Sequence, residues 1–322
     1  MMNFKKHINN ELDFFEQKIT SILSTKDHLL KKIINYLCNS SGKRIRPMCA
    51  ILGAGLINNI TEKTYRGAIL VELIHTATLI HDDIVDDAHI RRNSFTVNSI
   101  WKNKIAVLTG DYFLAKSLKL AVKEKDYEIL NLLSEVVEKI VEGELIQIEK
   151  TKRLNLLEKD YFNIIKLKTA SLFEASFMIG AFSEDGLDKK NQKKLKNLGV
   201  IIGILFQIRD DILDYDITKK TGKHFGNDIQ EGKINLPLLY SIEKMSFQEK
   251  NIVYRILRKK TNTLDEVKKI HKLVIRYRGL EKAEKLTHEY HKKAIQISQN
   301  FPDSRYKKTV ILMLDYLINR SK

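Results

Sequence analysis

Apolar residues recur at three- and four-residue spacing through most of the chain, and residues 71–92, VELIHTATLIHDDIVDDAHIRR, show the pattern clearly. The apolar positions that share one face of this segment are Leu73, Ile74, Ala77, Ile80 and Ile84. This spacing predicts a helix with one buried face. Runs that alternate between apolar and polar residues are scarce, and the chain contains only three prolines, so strands and interrupted helices are both disfavoured. The pattern predicts an all-α fold.

Four carboxylates interrupt the apolar pattern of this segment: Asp82, Asp83, Asp86 and Asp87. On a helix, Asp82 lies one turn before Asp86, and Asp83 lies one turn before Asp86 and Asp87, so these groups repel each other unless a cation lies between them. Hard oxygen ligands at this spacing suit Mg2+, which binds through a few carboxylates, waters and substrate phosphates. Taken alone, however, an acidic cluster is more often a solvated helix face.

A second acidic cluster repeats the first. Residues 205–215, LFQIRDDILDY, again carry an apolar helical pattern, with Asp210, Asp211 and Asp214 at the same spacing. Because each cluster follows an apolar run that a helical bundle would bury, the two sets of carboxylates can face each other across a cavity. Such an arrangement would hold several metal ions and a polyphosphate.

The two clusters, DDIVD and DDILD, with their flanks LIHDDIVDDAHIRR and FQIRDDILDY, resemble the two aspartate-rich motifs of the trans-polyprenyl diphosphate synthases. Supporting motifs follow in the family's order: GKRIRP at 42–47, KTA at 168–170 and GKHFGNDIQEGKINLP at 222–237. The resemblance is strongest between about residues 35 and 240, and it is greatest to the long-chain, octaprenyl-type bacterial enzymes. It implies a single isoprenoid-synthase domain over residues 1–322, an all-α helical bundle with its active site in a central cavity.

The resemblance also implies a role for individual side chains. The catalytic carboxylates are expected to be Asp82, Asp83, Asp86, Asp210, Asp211 and Asp214. The metal ligands among them are expected to be Asp82, Asp86 and Asp210, holding about three Mg2+ ions against the charge of two diphosphates. Isopentenyl diphosphate is expected to bind at Lys43, Arg46, His75 and Arg92. The allylic diphosphate is expected to bind at Arg91, Lys168, Thr169, Gln207, Lys223 and Lys233, with Gln147 at the border of the site.

The implied reaction begins with Mg2+-assisted loss of pyrophosphate from the allylic substrate. The double bond of isopentenyl diphosphate then attacks the carbocation and a proton is lost, without a covalent nucleophile. Ala77 and Thr78 lie one helical turn before Asp82, where short-chain members of the family place an aromatic ring. Both are small, which predicts a long product: an octaprenyl chain for a quinone, built on farnesyl diphosphate, with heptaprenyl and nonaprenyl lengths left open.

The net charge of +16 allows binding to nucleic acid, an anionic membrane or small anions. No zinc-finger spacing, RNA-recognition signature or basic zipper is present, so no nucleic-acid partner is predicted. Abundant lysine explains most of the charge, and peripheral membrane contact for product release is a hypothesis. Two cysteines without metal-ligand spacing and an N-terminus without a signal-peptide pattern predict a cytoplasmic protein.

Two other functions stay open. A metal-dependent phosphohydrolase could use His75 and the pair His81 and Asp82, but it leaves the second acidic cluster unexplained. A non-catalytic subunit of a heteromeric synthase should have lost part of the aspartate motifs, and both are intact. The resemblance implies a homodimer, and the lysine-rich helices after about residue 245 are predicted to serve packing, dimer or lid functions without a catalytic role.

Overall fold

The computed structural model describes residues 3–39, 42–57, 59–91, 94–182, 189–216, 226–259 and 262–320, and in these ranges it confirms the all-α prediction. The α-helices are α1 (Asn9–Ile22), α2 (His28–Asn39), α3 (Ile45–Ile57), α4 (Glu62–Val85), α5 (Val97–Lys123), α6 (Tyr127–Arg153), α7 (Glu158–Ile165), α8 (Ser171–Ala181), α9 (Lys189–Leu213), α10 (Asn227–Gln230), α11 (Leu236–Ile242), α12 (Phe247–Leu257), α13 (Leu264–Arg276), α14 (Gly279–Gln299) and α15 (Arg305–Asn319). A 3-10 helix (Asn3–Ile8) precedes α1, and a π turn (Lys166–Ala170) joins α7 to α8. Two short antiparallel strands, β1 (Ile90–Arg91) and β2 (Ser94–Phe95), follow α4.

Helix α4 carries the first acidic motif at its C-terminal end. It begins at a capping box in which the Thr61 side chain accepts from the backbone N–H of Thr64, which satisfies a free N–H of the first turn. It ends at Val85, and Asp87 adopts a left-handed φ of 50° that turns the chain toward β1. Asp82 and Asp83 therefore lie on the helix, whereas Asp86 and Asp87 follow its end. Only the first two of the four aspartates lie within the predicted helix.

Helices α3, α4 and α8 are buried on nearly all sides and form the centre of the bundle. Glycines let α3 and α8 approach backbone to backbone. A Cβ atom on Gly180 would lie 2.2 Å from the backbone nitrogen of Ala54, and one on Gly53 would lie 2.7 Å from the carbonyl oxygen of Phe177. Any side chain at these two positions would push the helices apart, so this contact fixes the inner wall of the bundle.

Helices α4, α6 and α8 contact one another. Near the acidic motifs, a Cβ atom on Gly143 of α6 would lie 2.8 Å from Cγ of Lys168. Toward the opposite end, a Cβ atom on Gly67 of α4 would lie 2.3 Å from Ile179 of α8 and 3.2 Å from Ile129 of α6. The space between the three helices is therefore bounded by a charged end and an apolar end.

Among the described residues, no helix combines the length and the apolar character that a membrane span requires.

Candidate active site

The first acidic motif places Asp82 and Asp86 beside basic side chains from other helices. Burial raises the pKa of Asp82 to about 6; the charge of Lys168 opposes this rise, and the carboxylates of Glu144 and Asp86 add to it. Asp86 accepts a hydrogen bond of 2.9 Å from Nζ of Lys233. The carboxylates of Glu231 and Asp86 raise the pKa of Lys233 above its usual value, although burial opposes the charge. A buried cluster of this kind is stabilised by added positive charge.

Asp83, by contrast, lies in a buried position and binds Arg91 of β1. Its Oδ1 accepts from Nε of Arg91 at 2.6 Å, and the side chain amide of Asn98 donates to its backbone carbonyl at 3.4 Å. These contacts hold the β1–β2 hairpin against the end of α4. Consecutive helical residues point about 100° apart, which explains why Asp83 does not share the direction of Asp82. Arg92, predicted to bind isopentenyl diphosphate, lies outside the described residues.

The predicted Lys168 and Thr169 lie on the π turn, a helical irregularity that is frequent at functional sites. Nζ of Lys168 donates to Oε1 of Gln147 at 2.6 Å and forms an ion pair with Glu144. Oγ1 of Thr169 donates to Oε1 of Gln207 at 2.8 Å. The structure thus brings these predicted residues together, and it adds Glu144, which the sequence analysis did not single out although it belongs to the same acidic stretch as Gln147.

The three carboxylates of the second motif have three different environments. Asp210 accepts from Nη2 of Arg320 at 2.5 Å, and Arg320 is itself buried and lies 4.1 Å from the ring centroid of Phe206. Arg320 follows α15, so the part of the chain after residue 245, for which packing, dimer or lid functions without a catalytic role were predicted, supplies a contact to the second motif. The signal was absent from the local sequence, because the contact joins residues 110 positions apart.

Asp211 is buried and turns away from Asp210. Its Oδ2 accepts from the hydroxyl of Tyr161 at 2.7 Å and from the backbone N–H of Leu236 at 3.0 Å. Its Oδ1 accepts from Nε2 of Gln207 at 2.9 Å. Burial raises the pKa of Asp211, and these three donors act against that rise.

Asp214 binds the backbone at the start of α10. Its Oδ1 accepts from the N–H of Asn227 at 3.0 Å and its Oδ2 from the N–H of Asp228 at 3.2 Å. The N–H of Gly226 also donates to the carbonyl of Asp214 at 3.2 Å. Asp214 therefore joins the end of α9 to the segment that carries Lys233. Lys223, predicted to bind the allylic diphosphate, lies outside the described residues.

Of the predicted isopentenyl diphosphate residues, Lys43 and Arg46 lie at the start of α3 and His75 lies on α4. Nη1 of Arg46 donates to Nε2 of His75 at 2.9 Å, and its guanidinium lies 4.9 Å from the ring centroid of Phe173. Nζ of Lys43 donates to the hydroxyl of Tyr316 on α15 at 2.6 Å. Lys43, Arg46 and His75 thus share one region of the site, to which α15 adds a residue that the sequence analysis did not single out.

Arg44 differs from its neighbours because it points into the protein. Its Nε donates to Glu16 of α1 at 2.8 Å, and its Nη1 donates to Glu72 of α4 at 2.5 Å. The Arg44 and Glu72 side chains are only 11% and 10% exposed. This buried ion pair fixes the loop before α3 to two helices and leaves Lys43 and Arg46 on either side of it.

A cavity of about 180 Å³ lies beside the π turn and the second motif; its lining includes Gln147, Lys168, Thr169, Gln207, Asp211 and Lys233. Within the described ranges, no group of three or more acidic, histidine or cysteine side chains is close enough to hold a metal ion without other ligands. Asp82, Asp86 and Asp210 instead offer hard oxygen donors from two directions, and each has a basic side chain nearby. This donor set fits Mg2+, which commonly completes its coordination with water and substrate phosphate.

Comparisons with known proteins agree with this geometry. The polyprenyl synthetase family model matches residues 27–274. The chain is 30% identical over 320 residues to the octaprenyl diphosphate synthase of Haemophilus influenzae, covering 98% of this chain and 96% of that protein. It is 30% identical over 323 residues to the heptaprenyl diphosphate synthase component 2 of Bacillus subtilis, covering 99% and 91%. A polyprenyl synthase structure from Caulobacter crescentus, complexed with calcium and isoprenyl diphosphate, matches with a TM-score of 0.93 and 30% identity, covering 99% and 97%.

Proposed function

We propose that this chain, which belongs to the polyprenyl synthetase family and is a prenyltransferase, lengthens farnesyl diphosphate with isopentenyl diphosphate to octaprenyl diphosphate in the cytoplasm. The observation that carries this proposal is that one cavity connects the two acidic motifs through its lysines. Lys168 and Lys233 line the cavity and interact with Asp82 and Asp86 of the first motif, and Asp211 of the second motif lines it directly. Mixed carboxylates and lysines suit a diphosphate bound together with divalent cations.

The chain's own residues position the allylic substrate. Lys168 and Lys233 place positive charge at the cavity, and Thr169 and Gln207 add neutral polar groups there. Mg2+ bound at Asp82, Asp86 and Asp210 would stabilise the negative charge of pyrophosphate as it leaves. Because these groups are already fixed by hydrogen bonds, little reorganisation is needed when charge develops.

The second substrate is proposed to bind where Lys43, Arg46 and His75 meet. The Arg46 guanidinium is held by Phe173 and His75, so its direction is fixed before isopentenyl diphosphate arrives. A fork of N–H donors suits a phosphate, and Lys43 adds a second charge. This arrangement would hold the double bond of isopentenyl diphosphate next to the allylic carbon.

The growing tail is proposed to descend between α4, α6 and α8. Thr78 lies on the same face of α4 as Asp82 and is partly exposed, whereas Ala77 is fully buried. Both side chains are small, which supports a path that continues below the acidic motif. At the apolar end, Gly67 meets Ile129 and Ile179.

The length of this path bears on the product. Asp82 and Gly67 are 15 residues apart on α4, which corresponds to about 22 Å. An extended isoprene unit is about 4.5 Å long, so an octaprenyl tail of about 36 Å extends beyond this end. The side chains of Ile129 and Ile179 therefore have to separate for an octaprenyl product. A groove lies next to them and would receive the end of the tail; its lining is Tyr127, Glu128, Asn131, Leu132, Glu135 and Phe182.

We also infer that the enzyme is a homodimer. Adjacent helices α5 and α6 carry large apolar side chains that are 41% to 63% exposed: Val107, Leu108, Leu118, Val122, Val141 and Leu145. An exposed apolar surface of this extent commonly marks an interface. A second copy can cover it helix against helix through a two-fold axis.

The first experiment is an incubation of the purified chain with labelled isopentenyl diphosphate, farnesyl diphosphate and Mg2+, followed by separation of the products by length. A Mg2+-dependent octaprenyl product supports the proposal, and a different length corrects only the product. The Bacillus relative is by name one component of a synthase, so a partner-dependent enzyme is the second candidate. Binding of both substrates without any product would favour that candidate.

A further inference from the structure

A chain of hydrogen bonds leads from the interior of the protein to the allylic diphosphate residues of the proposed function. The hydroxyl of Tyr161 on α7 donates to Oδ2 of Asp211 at 2.7 Å. Nε2 of Gln207 donates to the other oxygen, Oδ1, at 2.9 Å. Oγ1 of Thr169 donates in turn to Oε1 of Gln207 at 2.8 Å. Four side chains thus connect α7, α9 and the π turn before α8.

The direction of these bonds is fixed by chemistry. A carboxylate accepts hydrogen bonds and donates none, so Asp211 requires the nitrogen end of the Gln207 amide to face it. The oxygen of the amide then faces Thr169, and the second N–H of the amide stays available for a phosphate oxygen. If the Asp211 carboxylate rotated, both ends of the Gln207 amide would lose their fixed positions.

Tyr161 keeps the carboxylate from rotating. It is 5% exposed and Asp211 is 4% exposed, and both line the cavity beside the π turn. The backbone N–H of Leu236, at the start of α11, is the other donor to the same oxygen, at 3.0 Å. With both donors present, Oδ2 is held on the inner side and Oδ1 is directed at Gln207.

We propose that Tyr161 is a positioning residue for the allylic diphosphate, acting through Asp211 on Gln207 and Thr169. The inference rests on the proposed function, and it assigns different tasks to neighbouring aspartates of the second motif. Asp210 would bind the metal, whereas Asp211 orients the amide of Gln207.

The chain supplies a matched control for testing this role. The hydroxyl of Tyr240 on α11 donates to Oε1 of Glu158 on α7 at 2.8 Å. Tyr161→Phe and Tyr240→Phe therefore each remove one tyrosine–carboxylate bond that involves α7, but only the first bond leads to the site. We expect Tyr161→Phe to raise the Kd and KM for farnesyl diphosphate about five- to tenfold, the effect of one hydrogen bond. The KM for isopentenyl diphosphate should stay within about twofold for both variants.

A double-variant cycle separates positioning from general loosening of the fold. In a Gln207→Ala background, Tyr161→Phe should have no further effect on the Kd for farnesyl diphosphate, because the amide through which it acts is gone. Equal Kd values for the wild type and Tyr161→Phe would overturn the proposal. The proposal would also be overturned if Tyr240→Phe weakened farnesyl diphosphate binding as much as Tyr161→Phe. It would likewise be overturned if the effects of Tyr161→Phe and Gln207→Ala on the Kd added in the double variant.

The Kd is measured by calorimetry with farnesyl diphosphate and Mg2+, so it does not depend on turnover. A wild-type chain that forms no product would contradict the proposed function, while the Kd comparison would still decide the role of Tyr161. If Tyr161→Phe fails to fold, Asp211→Asn tests the same link, since the introduced amide can donate toward Gln207 and allow its amide to flip. That variant should weaken farnesyl diphosphate binding at least as much, and unchanged binding would refute the link.

Discussion

Replacing Thr78 by phenylalanine is expected to shorten the product. Thr78 lies on the face of α4 that leads down from Asp82, it is partly exposed, and its hydroxyl only returns to the carbonyl of His75 at 2.9 Å. An aromatic ring at this position would project into the proposed tail path and block it. At Ala77, which is fully buried, the same ring should also shorten the product, and it should cost about 1–3 kcal/mol of stability through overpacking.

The size of the effect follows from the helix. Thr78 and Gly67 are 11 residues apart on α4, or about 16 Å along its axis. At about 4.5 Å per isoprene unit, a block at Thr78 removes room for at least about three units. We therefore expect the main product of Thr78→Phe to be at least three units shorter than that of the wild type.

The assay compares dephosphorylated products of labelled isopentenyl diphosphate by chromatography. Thr76→Phe is the matched control, because Thr76 is a partly exposed threonine on the opposite side of α4 whose hydroxyl also returns to a carbonyl one turn earlier, at 2.8 Å. Its product should keep the wild-type length. An active Thr78→Phe enzyme with products of wild-type length would refute the proposed path.

Three further outcomes are expected. Arg44→Ala should lower the free energy of unfolding by about 3 kcal/mol or more, because it leaves the buried carboxylate of Glu72 unpaired; a loss under about 1 kcal/mol in denaturant titrations would contradict this. Burial lowers the pKa of His271, so the unfolded chain binds a proton that the folded chain does not, and stability should fall as the pH drops below about 6.5. His271→Gln should weaken this fall of stability with pH in thermal melts recorded at several pH values. An equal change of Tm with pH in the wild type and the variant would exclude a contribution of His271. Arg320→Ala removes the cation from Asp210, so half-maximal activity should need less Mg2+; an unchanged requirement would argue against competition for this carboxylate.

The fold was predictable from the sequence because its signals are local. The apolar spacing over residues 71–92 indicated α4, and the repeat of the acidic spacing at 205–215 indicated that two helices face one cavity. The π turn at Lys168 and Thr169 lies where the KTA motif indicated a contact. The family assignment is confirmed by the match over residues 27–274. The single domain and the individual ligand roles stay predictions.

The remaining features depend on contacts between distant positions. Asp210 and Asp211 are equivalent in the motif DDILD, yet the helix directs one toward Arg320 and the other toward Tyr161, which are 110 and 50 positions away. No periodicity in the sequence encodes such partners. Arg44 likewise belongs to the basic sequence GKRIRP, but its pairing with Glu16 and Glu72 becomes visible only when α1 and α4 are packed against the loop.

The double attachment at Asp214 has a consequence for how this enzyme can vary. Its carboxylate binds the N–H groups of Asn227 and Asp228, and its carbonyl accepts from Gly226. The two ends of the intervening segment are therefore joined at one residue, independently of the segment's length. Lys233 follows α10 and donates to Asp86, so its position depends on this joint. A substitution at Asp214 would therefore displace a lysine of the site as well as remove a carboxylate of the second motif, and this position can vary less freely than its place at the end of a helix suggests.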